Sequence, residues 1–198
     1  MRKPFPIFLL LALLPGACQT CPPETRALVL APNYRTAEDG GRSFLAAFSC
    51  DDSAAEYLCL GEALKETYGA TMDLYLLARP EIREQLGRYA GQAWRLEPTR
   101  TVRAEPGVVV WWGLGEREVV GLLMQQQYFF DVHETDGRRV GSILDRSPGD
   151  LLQIRSKSLL LELTDPALRS VGPPESISGF ELGTEWKIAD FLFPEEEA

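Results

Sequence analysis

The chain has 198 residues, of which 45% are hydrophobic and 25% are charged, and this balance is typical of a globular protein. The length predicts one domain with a sizeable core rather than two domains. The formal net charge of −9 argues against a nucleic-acid partner, because the phosphate backbone requires a basic surface. The acidic end, residues 194–198, is interpreted as a solvated tail outside that domain.

The first residues have the layout of an export signal. Arg2 and Lys3 precede the apolar run IFLLLALL (7–14), which is too short to span a bilayer. The following LPGAC (14–18) resembles the lipobox of bacterial lipoprotein precursors, in which small residues lead to a cysteine that becomes acylated. Pro15 stands where that motif usually has a small or aliphatic residue.

The lipobox resemblance implies cleavage before Cys18 and diacylglycerol on its sulfur, with acyl chains such as palmitate. Residues 1–17 would then be a signal peptide, and the lipid would hold the protein on the outer side of a bacterial membrane. The alternative is an ordinary secretory signal that is cut nearby and leaves Cys18 as a thiol. Gln19 in place of Asp favours the outer membrane in enterobacterial-type sorting. Residues 18–35, with three prolines, are predicted to be the lipidated cysteine and a tether.

Three cysteines remain if Cys18 is acylated, and an odd number leaves at least one of them free or in an intermolecular bond. Export would permit a disulfide between Cys50 and Cys59. Cys59 is expected about two turns inside a helix that begins just after Cys50, however, and this makes the Cα separation unfavourable. Two buried thiols are therefore favoured at these positions. With His133 as the single histidine, no metal site is predicted.

Three helices are predicted before the strands. The first begins at the capping box TAED (36–39), and the second begins at SAAE (53–56) and closes at Gly69. The third, residues 71–86, contains Pro80, so two short helices are expected to meet there. The apolar side chains predicted to face the core are Ala37, Phe44, Leu45, Phe48, Tyr57, Leu60, Leu64 and Tyr68.

Strand patterns follow from Gly91 almost to the end of the chain. The predicted strands are residues 93–97, 101–104, 108–112, 118–134, 138–145, 152–163 and 180–191. Within residues 152–163 the apolar positions change from even to odd numbers, which predicts a β-bulge near residues 156–158.

The longest strand and its return form the predicted central hairpin. The run EVVGLLMQQQYFFDVHE (118–134) reverses at Asp136-Gly137, a pair that suits a two-residue type I′ turn. That turn would place Glu134 opposite Arg139. From Val120 to Val132 the even-numbered side chains are apolar or aromatic apart from Gln126, so this face is predicted to pack on the core.

Helices followed by a strongly bent antiparallel sheet predict an α+β fold. From residue 36 to residue 193, the order of the elements resembles the nuclear transport factor 2-like (SnoaL-like) superfamily. The capped helix pair at the start and the closing strand EWKI (185–188) carry this resemblance. It implies a cone of the cystatin or nuclear transport factor 2 type, in which N-terminal helices pack on a curved, mostly antiparallel sheet around a pocket.

Enzymes of that superfamily, such as ketosteroid isomerases and polyketide cyclases, place an Asp, His or Tyr inside the cone. His133 and Asp131 fall on the mixed face near the hairpin turn and are expected to be exposed. Asp145 is expected on the inward face opposite Tyr128, and Asp73 is expected to stabilise the start of a helix. No catalytic residue and no cofactor are assigned from the sequence.

The favoured functional hypothesis is a non-catalytic, lipid-anchored domain that binds a ligand or an envelope protein. Its interaction surface, or that of a homodimer, would be the outer sheet face around Phe129 and residues 125–127. The alternative is a small apolar ligand, or isomerase- or cyclase-like chemistry, in the cone pocket. The candidate lining residues are Tyr57, Trp111, Gln126, Tyr128, Phe130, Asp145 and Trp186, although the same aromatics could simply fill the core.

Overall fold

The computed structural model describes residues 21–67, 71–144, 152–155, 158–161 and 176–194. The helices are α1 (Pro23–Leu30), α2 (Ala37–Ser49), α3 (Ser53–Leu58), α4 (Glu62–Thr67) and α5 (Met72–Leu86), followed by a 3₁₀ run (Gly87–Arg95). The strands are β1 (Glu97–Ala104), β2 (Gly107–Leu114), β3 (Arg117–Glu134), β4 (Arg139–Leu144), β5 (Leu152–Arg155), β6 (Ser158–Leu161) and β7 (Ile177–Leu192). The chain is therefore α+β. Among these helices, none is both long enough and apolar enough to cross a bilayer.

Strand β3 is the centre of the main sheet, and all of its pairings are antiparallel. Its first half pairs with β2 and its second half pairs with β4, while β7 runs along the opposite edge of both halves. Strand β1 extends the sheet beyond β2. Strands β5 and β6 form a separate two-stranded ribbon. The predicted central hairpin is thus confirmed as β3 and β4.

The turn of this hairpin differs from the prediction by one residue. It is a three-residue loop, residues 135–137, in which the Gly137 amide donates a hydrogen bond to the carbonyl oxygen of Glu134 at 3.0 Å. Gly137 has a φ of +87°, as expected where a left-handed glycine completes a three-residue loop. His133 therefore lies opposite Arg139, and the predicted pairing of Glu134 with Arg139 is wrong.

Helix α2 packs on the sheet and forms the core with it. Thr36 caps this helix as predicted, because its hydroxyl oxygen accepts a hydrogen bond from the Asp39 amide at 3.0 Å. A Cβ at Gly40 would lie 2.6 Å from the Trp186 carbonyl oxygen, so the glycine permits the close approach of helix and strand. The largest buried side chains of this core are Phe44, Leu45, Phe48, Leu96, Trp112, Leu122, Met124 and Ile188.

The predicted second helix is interrupted, because part of it joins the sheet. The Gly61 amide donates to the Ile188 carbonyl oxygen at 2.8 Å, and the Ile188 amide donates to the Cys59 carbonyl oxygen at 2.9 Å. This short parallel bridge covers the outer edge of β7, which would otherwise expose unpaired backbone groups. The helix cap is Asp52 rather than Ser53, since the Asp52 carboxylate accepts from the Ala55 amide.

Three further predictions are wrong, because tertiary contacts determine the local structure at these places. Helix α5 continues through Pro80 as one helix, and it is held by Arg79 on Glu56 just before the proline and by Arg83 on Asp51 just after it. The predicted strand 93–97 is largely 3₁₀, and its Trp94 amide donates to the Ser49 hydroxyl at 2.8 Å. The phase change within 152–163 is a chain reversal between β5 and β6 rather than a bulge.

The segment predicted as a tether is folded from residue 21 onwards. It contains α1, and a disulfide joins Cys21 to Cys50 with a Cα–Cα distance of 4.9 Å. The prediction of a buried thiol is therefore wrong for Cys50 and confirmed for Cys59. Further along, the Trp186 amide donates to the Tyr34 carbonyl oxygen at 2.8 Å, which ties the segment to β7.

Candidate functional site

The residues proposed to line an apolar pocket lie in different environments. The Tyr57 ring packs 6.0 Å from the ring of Tyr75, between helices α3 and α5. Trp111 is covered on one side by the guanidinium group of Arg100, at 5.0 Å from the ring centroid. Neither ring takes part in the clefts described below.

Three other members of the predicted set lie close together on the sheet. Gln126 and Trp186 are register partners on β3 and β7, and the Tyr128 hydroxyl donates to the Gln126 side-chain oxygen at 3.3 Å. Gln126 is exposed rather than inward-facing. Phe130 lies opposite Leu182 and Ser142. Asp145 falls outside the described residues. Leu144 lies opposite Tyr128, so the predicted pairing of Asp145 with Tyr128 is wrong.

A first cleft, of about 530 Å³, lies beside Trp186. The turn between β1 and β2 forms its other wall. Its lining residues are Thr101, Arg103, Ala104, Glu105, Pro106, Gly107, Val108 and Trp186. Among the predicted pocket residues whose side chains the structure describes, Trp186 alone contributes to the wall of this cleft.

The buried carboxylate of Glu56 is fully engaged in structural contacts. Its Oε2 accepts from the Tyr75 hydroxyl at 2.5 Å and from Arg79 Nε at 2.7 Å, and its Oε1 accepts from a second Arg79 nitrogen at 2.8 Å. Burial, followed by the nearby Glu56 charge, raises the pKa of Tyr75. Both Glu56 oxygens accept hydrogen bonds from donors on α5. This carboxylate therefore joins α3 to α5 and is not placed to act as a base.

Cys59 is a buried thiol whose burial outweighs the neighbouring groups that favour the thiolate. Burial raises the pKa of the Cys59 thiol to about 11, so it is protonated at neutral pH and a poor nucleophile. Its sulfur lies 3.8 Å from the Tyr34 hydroxyl, and burial raises the pKa of Tyr34 as well. Lys187 closes this cluster: its Nζ lies 3.4 Å from the Tyr34 ring centroid and 2.8 Å from a Glu185 oxygen.

His133 and Asp131, the two candidate residues near the hairpin turn, differ in their exposure. His133 is exposed, as predicted. Asp131 is buried, and the prediction that it would be exposed is wrong. It lies where β4 and β7 both flank β3, with Gly141 and Glu181 as its neighbours, so strands cover it on both edges.

A second cleft, of about 1000 Å³, lies where α5 ends, and we call it the Tyr89 cleft. Leu86 and Gly87 end the helix, and Gly87 has a φ of +52°, which turns the chain into the 3₁₀ run. The tip of the β2–β3 hairpin and the end of β7 complete the walls. Its lining residues are Glu84, Gln85, Leu86, Gly87, Arg88, Tyr89, Glu116, Arg117, Glu118, Val119, Phe193 and Pro194.

The Tyr89 cleft carries both positive and negative groups. An Arg88 nitrogen donates to the Tyr89 hydroxyl at 2.8 Å. That hydrogen bond, with the positive charges of Arg88 and Arg117, holds the pKa of the Tyr89 phenol below its usual range. Glu118 is paired with Arg100, which donates to both of its oxygens. Among the described residues, Arg88 and Arg117 make no ion pair, so both remain able to bind an anionic group.

A third cleft, of about 250 Å³, adjoins the Tyr89 cleft and shares Arg88 and Tyr89 with it. Arg95 lines this third cleft and lies 5.8 Å from the centroid of the Trp94 ring. Sequence reasoning missed these residues because they follow no catalytic or binding motif. Only the turn between β2 and β3 brings Arg117 to a tyrosine that precedes it by 28 positions (117 − 89).

Comparison with protein-family models, curated proteins and solved structures gave no match. In the parts of the chain that the structure describes, no group of three or more His, Cys, Asp or Glu side chains is placed to hold a metal ion.

Proposed function

We propose that the chain is a lipid-anchored protein of the bacterial cell envelope, whose α+β domain binds a ligand or an envelope protein without catalysing a reaction. The observation that carries this proposal is the LPGAC (14–18) motif behind a short apolar run. The disulfide between Cys21 and Cys50 supports it, because disulfides form and persist in oxidising compartments outside the cytoplasm.

We also propose that the domain is a cone of the nuclear transport factor 2-like type. The support is the layout of the sheet, in which an 18-residue strand pairs with β2 and then with β4 along one edge. Register shifts in the pairing of β3 with β7, at Leu123/Met124 and His133/Glu134, are irregularities of the kind by which a long strand bends. Helix α2 would then occupy the inner face.

A binding role is favoured over catalysis by the state of the buried reactive groups. Glu56 is held by donors on both oxygens, and the Cys59 thiol has a raised pKa. The Tyr89 cleft offers instead two arginines, a phenol and the carboxylates of Glu84 and Glu116. Guanidinium groups bind carboxylates and phosphates well, so the ligand expected there is a small polar molecule with an anionic group.

The anchor is tested by expressing the full chain in a bacterial host and measuring the mass of its N-terminal peptide. Cleavage before Cys18 with diacylglycerol on the sulfur is the expected result, together with recovery of the protein in the membrane fraction. Cys18→Ala should shift the protein to the soluble extracytoplasmic fraction. A membrane-bound Cys18→Ala variant would show that the anchor proposal is wrong.

The ligand is tested by native mass spectrometry of the domain purified from its own host. We expect a bound polar molecule that is lost in Arg88→Ala and kept in Arg103→Ala, because Arg103 lines the cleft beside Trp186. A molecule that is kept in Arg88→Ala and lost in Arg103→Ala would favour the second candidate, which is a small apolar ligand beside Trp186, Pro106 and Val108. An unliganded protein in every preparation would direct the search to envelope proteins as partners.

A further inference from the structure

The Tyr89 cleft combines its two arginines with two carboxylates, and these groups do not neutralise one another. All four side chains are exposed and line the cleft. Within the described part of the chain, none of them forms an ion pair. These residues are Glu84, Arg88, Glu116 and Arg117. Charges of both signs therefore border one open space.

On one wall, the end of α5 separates a glutamate from an arginine. Glu84 and Arg88 are four residues apart, which is the spacing of a favourable ion pair in a continuous helix. Gly87, with a φ of +52°, ends the helix between them. The Arg88 guanidinium group donates to the Tyr89 hydroxyl instead, at 2.8 Å. This wall therefore presents one carboxylate and one guanidinium group separately.

On another wall, the β2–β3 hairpin presents a second set of opposite charges. Glu116 lies in the turn, and Arg117 is the first residue of β3, where its register partner is Leu114. The next carboxylate, that of Glu118, is not available to Arg117, because Arg100 donates to both of its oxygens. This wall also presents one carboxylate and one guanidinium group.

Unpaired charges of both signs favour a ligand that itself carries both signs. A purely anionic ligand would be attracted by the arginines and repelled by Glu84 and Glu116. Three more glutamates follow Pro194 of the cleft wall in the sequence and add to the negative charge. An ammonium group in the same ligand would turn this repulsion into attraction. The carboxylates thus select against simple anions.

The remainder of the wall suits a ligand with apolar side chains. Leu86 and Val119 are buried, Phe193 packs against the hydrophobic core, and all three line the cleft. The volume of about 1000 Å³ lies at the upper end of the range for small-molecule sites, which is about 300–1000 Å³. This space favours a short peptide over a single amino acid.

We infer that the ligand of the Tyr89 cleft is a short peptide with free ends, whose carboxylate binds Arg88 and Arg117 and whose ammonium group binds Glu84 or Glu116. The inference rests on the proposed binding role of this cleft, and it narrows the expected ligand from anions in general to zwitterions. Guanidinium groups bind a carboxylate through two parallel hydrogen bonds, and an ammonium group has three donors for carboxylate oxygens.

The test is isothermal titration calorimetry with the full-length protein in detergent. The probes are the tripeptide alanyl-leucyl-alanine, its N-acetylated form and its C-terminal amide. The two blocked forms keep the side chains and each remove the charge of one end. We expect the free tripeptide to bind about tenfold more tightly than either blocked form, because each of them loses a charge-assisted contact.

Two exposed variants at the hairpin turn assign the peptide ends. Arg117→Ala should weaken binding of the free and the N-acetylated tripeptide about fivefold and leave the amide unchanged, since the amide lacks the carboxylate. Glu116→Gln should weaken binding of the free tripeptide and the amide and leave the N-acetylated form unchanged. Arg103→Ala is the control. Because Arg103 lines the cleft beside Trp186, this variant should not affect any of the three probes.

The outcomes separate this inference from the proposed function. Equal affinity of the free and the N-acetylated tripeptide, both weakened by Arg117→Ala, would overturn the zwitterion and leave a cleft that binds anions. Tripeptide binding that neither Arg117→Ala nor Glu116→Gln weakened would place the peptide elsewhere and overturn the inference. The absence of binding for all three probes would also overturn it. Native mass spectra of Arg88→Ala would then decide whether the cleft binds a different molecule.

Discussion

Arg79 holds the buried carboxylate of Glu56 through two nitrogens, at 2.7 Å and 2.8 Å. The guanidinium group also lies 5.1 Å from the Phe48 ring centroid, so one side chain joins α5 to α3 and α2. Glu56 has no exposed surface. A carboxylate in such a position depends on its partners, because an unpaired charge cannot be compensated by water there.

Removal of Arg79 should destabilise the domain strongly. Arg79→Ala leaves Glu56 with the Tyr75 hydroxyl as its remaining described donor, and breaking a buried ion pair costs about 3–5 kcal/mol. The free energy of unfolding from urea denaturation measures the effect. Arg103→Ala is the matched control, because Arg103 is exposed and its removal should cost less than about 0.5 kcal/mol. Equal losses of unfolding free energy in Arg79→Ala and Arg103→Ala would contradict the stabilising role of the Glu56–Arg79 ion pair.

The link from Asp51 to α5 should weaken in acid. Hydrogen bonds and charge from Arg79 and Arg83 hold the pKa of Asp51 below its usual range near 3.8. A carboxylate whose pKa is lower in the folded state contributes stability above its unfolded pKa, and this contribution is lost as the pH falls through the folded pKa. Asp51→Asn should therefore be less stable than wild type at pH 7, and the difference should shrink towards pH 3. A difference that was constant over this range would contradict the assignment.

Reduction should identify the disulfide and the free thiol separately. In the lipidated chain without reductant, thiol titration should find no reactive thiol in the native state and one in denaturant, which is Cys59. Cys50→Ser should lower the free energy of unfolding by about 2–4 kcal/mol. Added reductant should lower the free energy of unfolding of wild type to the value of Cys50→Ser. It should not alter the free energy of unfolding of Cys50→Ser itself. Three thiols in denaturant without reductant would show that the disulfide does not form.

The Tyr89 phenol should titrate before those of Tyr34 and Tyr75. Arg88 and Arg117 lower the pKa of its phenol, whereas burial raises that of Tyr34 and Tyr75. Ultraviolet difference spectroscopy over the alkaline range should show an early step that Tyr89→Phe removes. Arg88→Ala should move this step to higher pH, while Arg42→Ala should not affect it, because Arg42 pairs with Glu97. An unchanged first step in Arg88→Ala would contradict the geometry of the cleft.

The sequence predicted those structural elements that are determined by neighbouring residues in the chain. Thr36 caps α2 through a residue three positions away, and the apolar period of β3 placed Leu122 and Met124 in the core. The lengths of elements were wrong where distant residues intervened. Leu60 belongs to a helical pattern by sequence, yet it leaves the helix because Ile188 offers backbone partners.

The candidate site was less predictable than the fold, because its residues meet only through tertiary structure. Arg88 and Arg117 are ordinary surface residues by sequence, and the distance between them is set by the β2–β3 hairpin. The pairing of Cys21 with Cys50 was also missed. The prolines near Cys21 predict an extended segment. In the structure this segment contains α1, which packs on α2 and brings Cys21 to Cys50.

The disulfide also changes how the domain could be detached from a cell. It closes a covalent ring that runs from Cys21 to Cys50, next to the lipidated position. On the proposed anchor, a protease that cut the chain once anywhere inside this ring would leave the domain attached, because the two sulfurs would still hold it to the acylated end. After such a cut, release of the domain would require reduction as well, so the ring protects residues 21–50 against loss of the domain by a single proteolytic event.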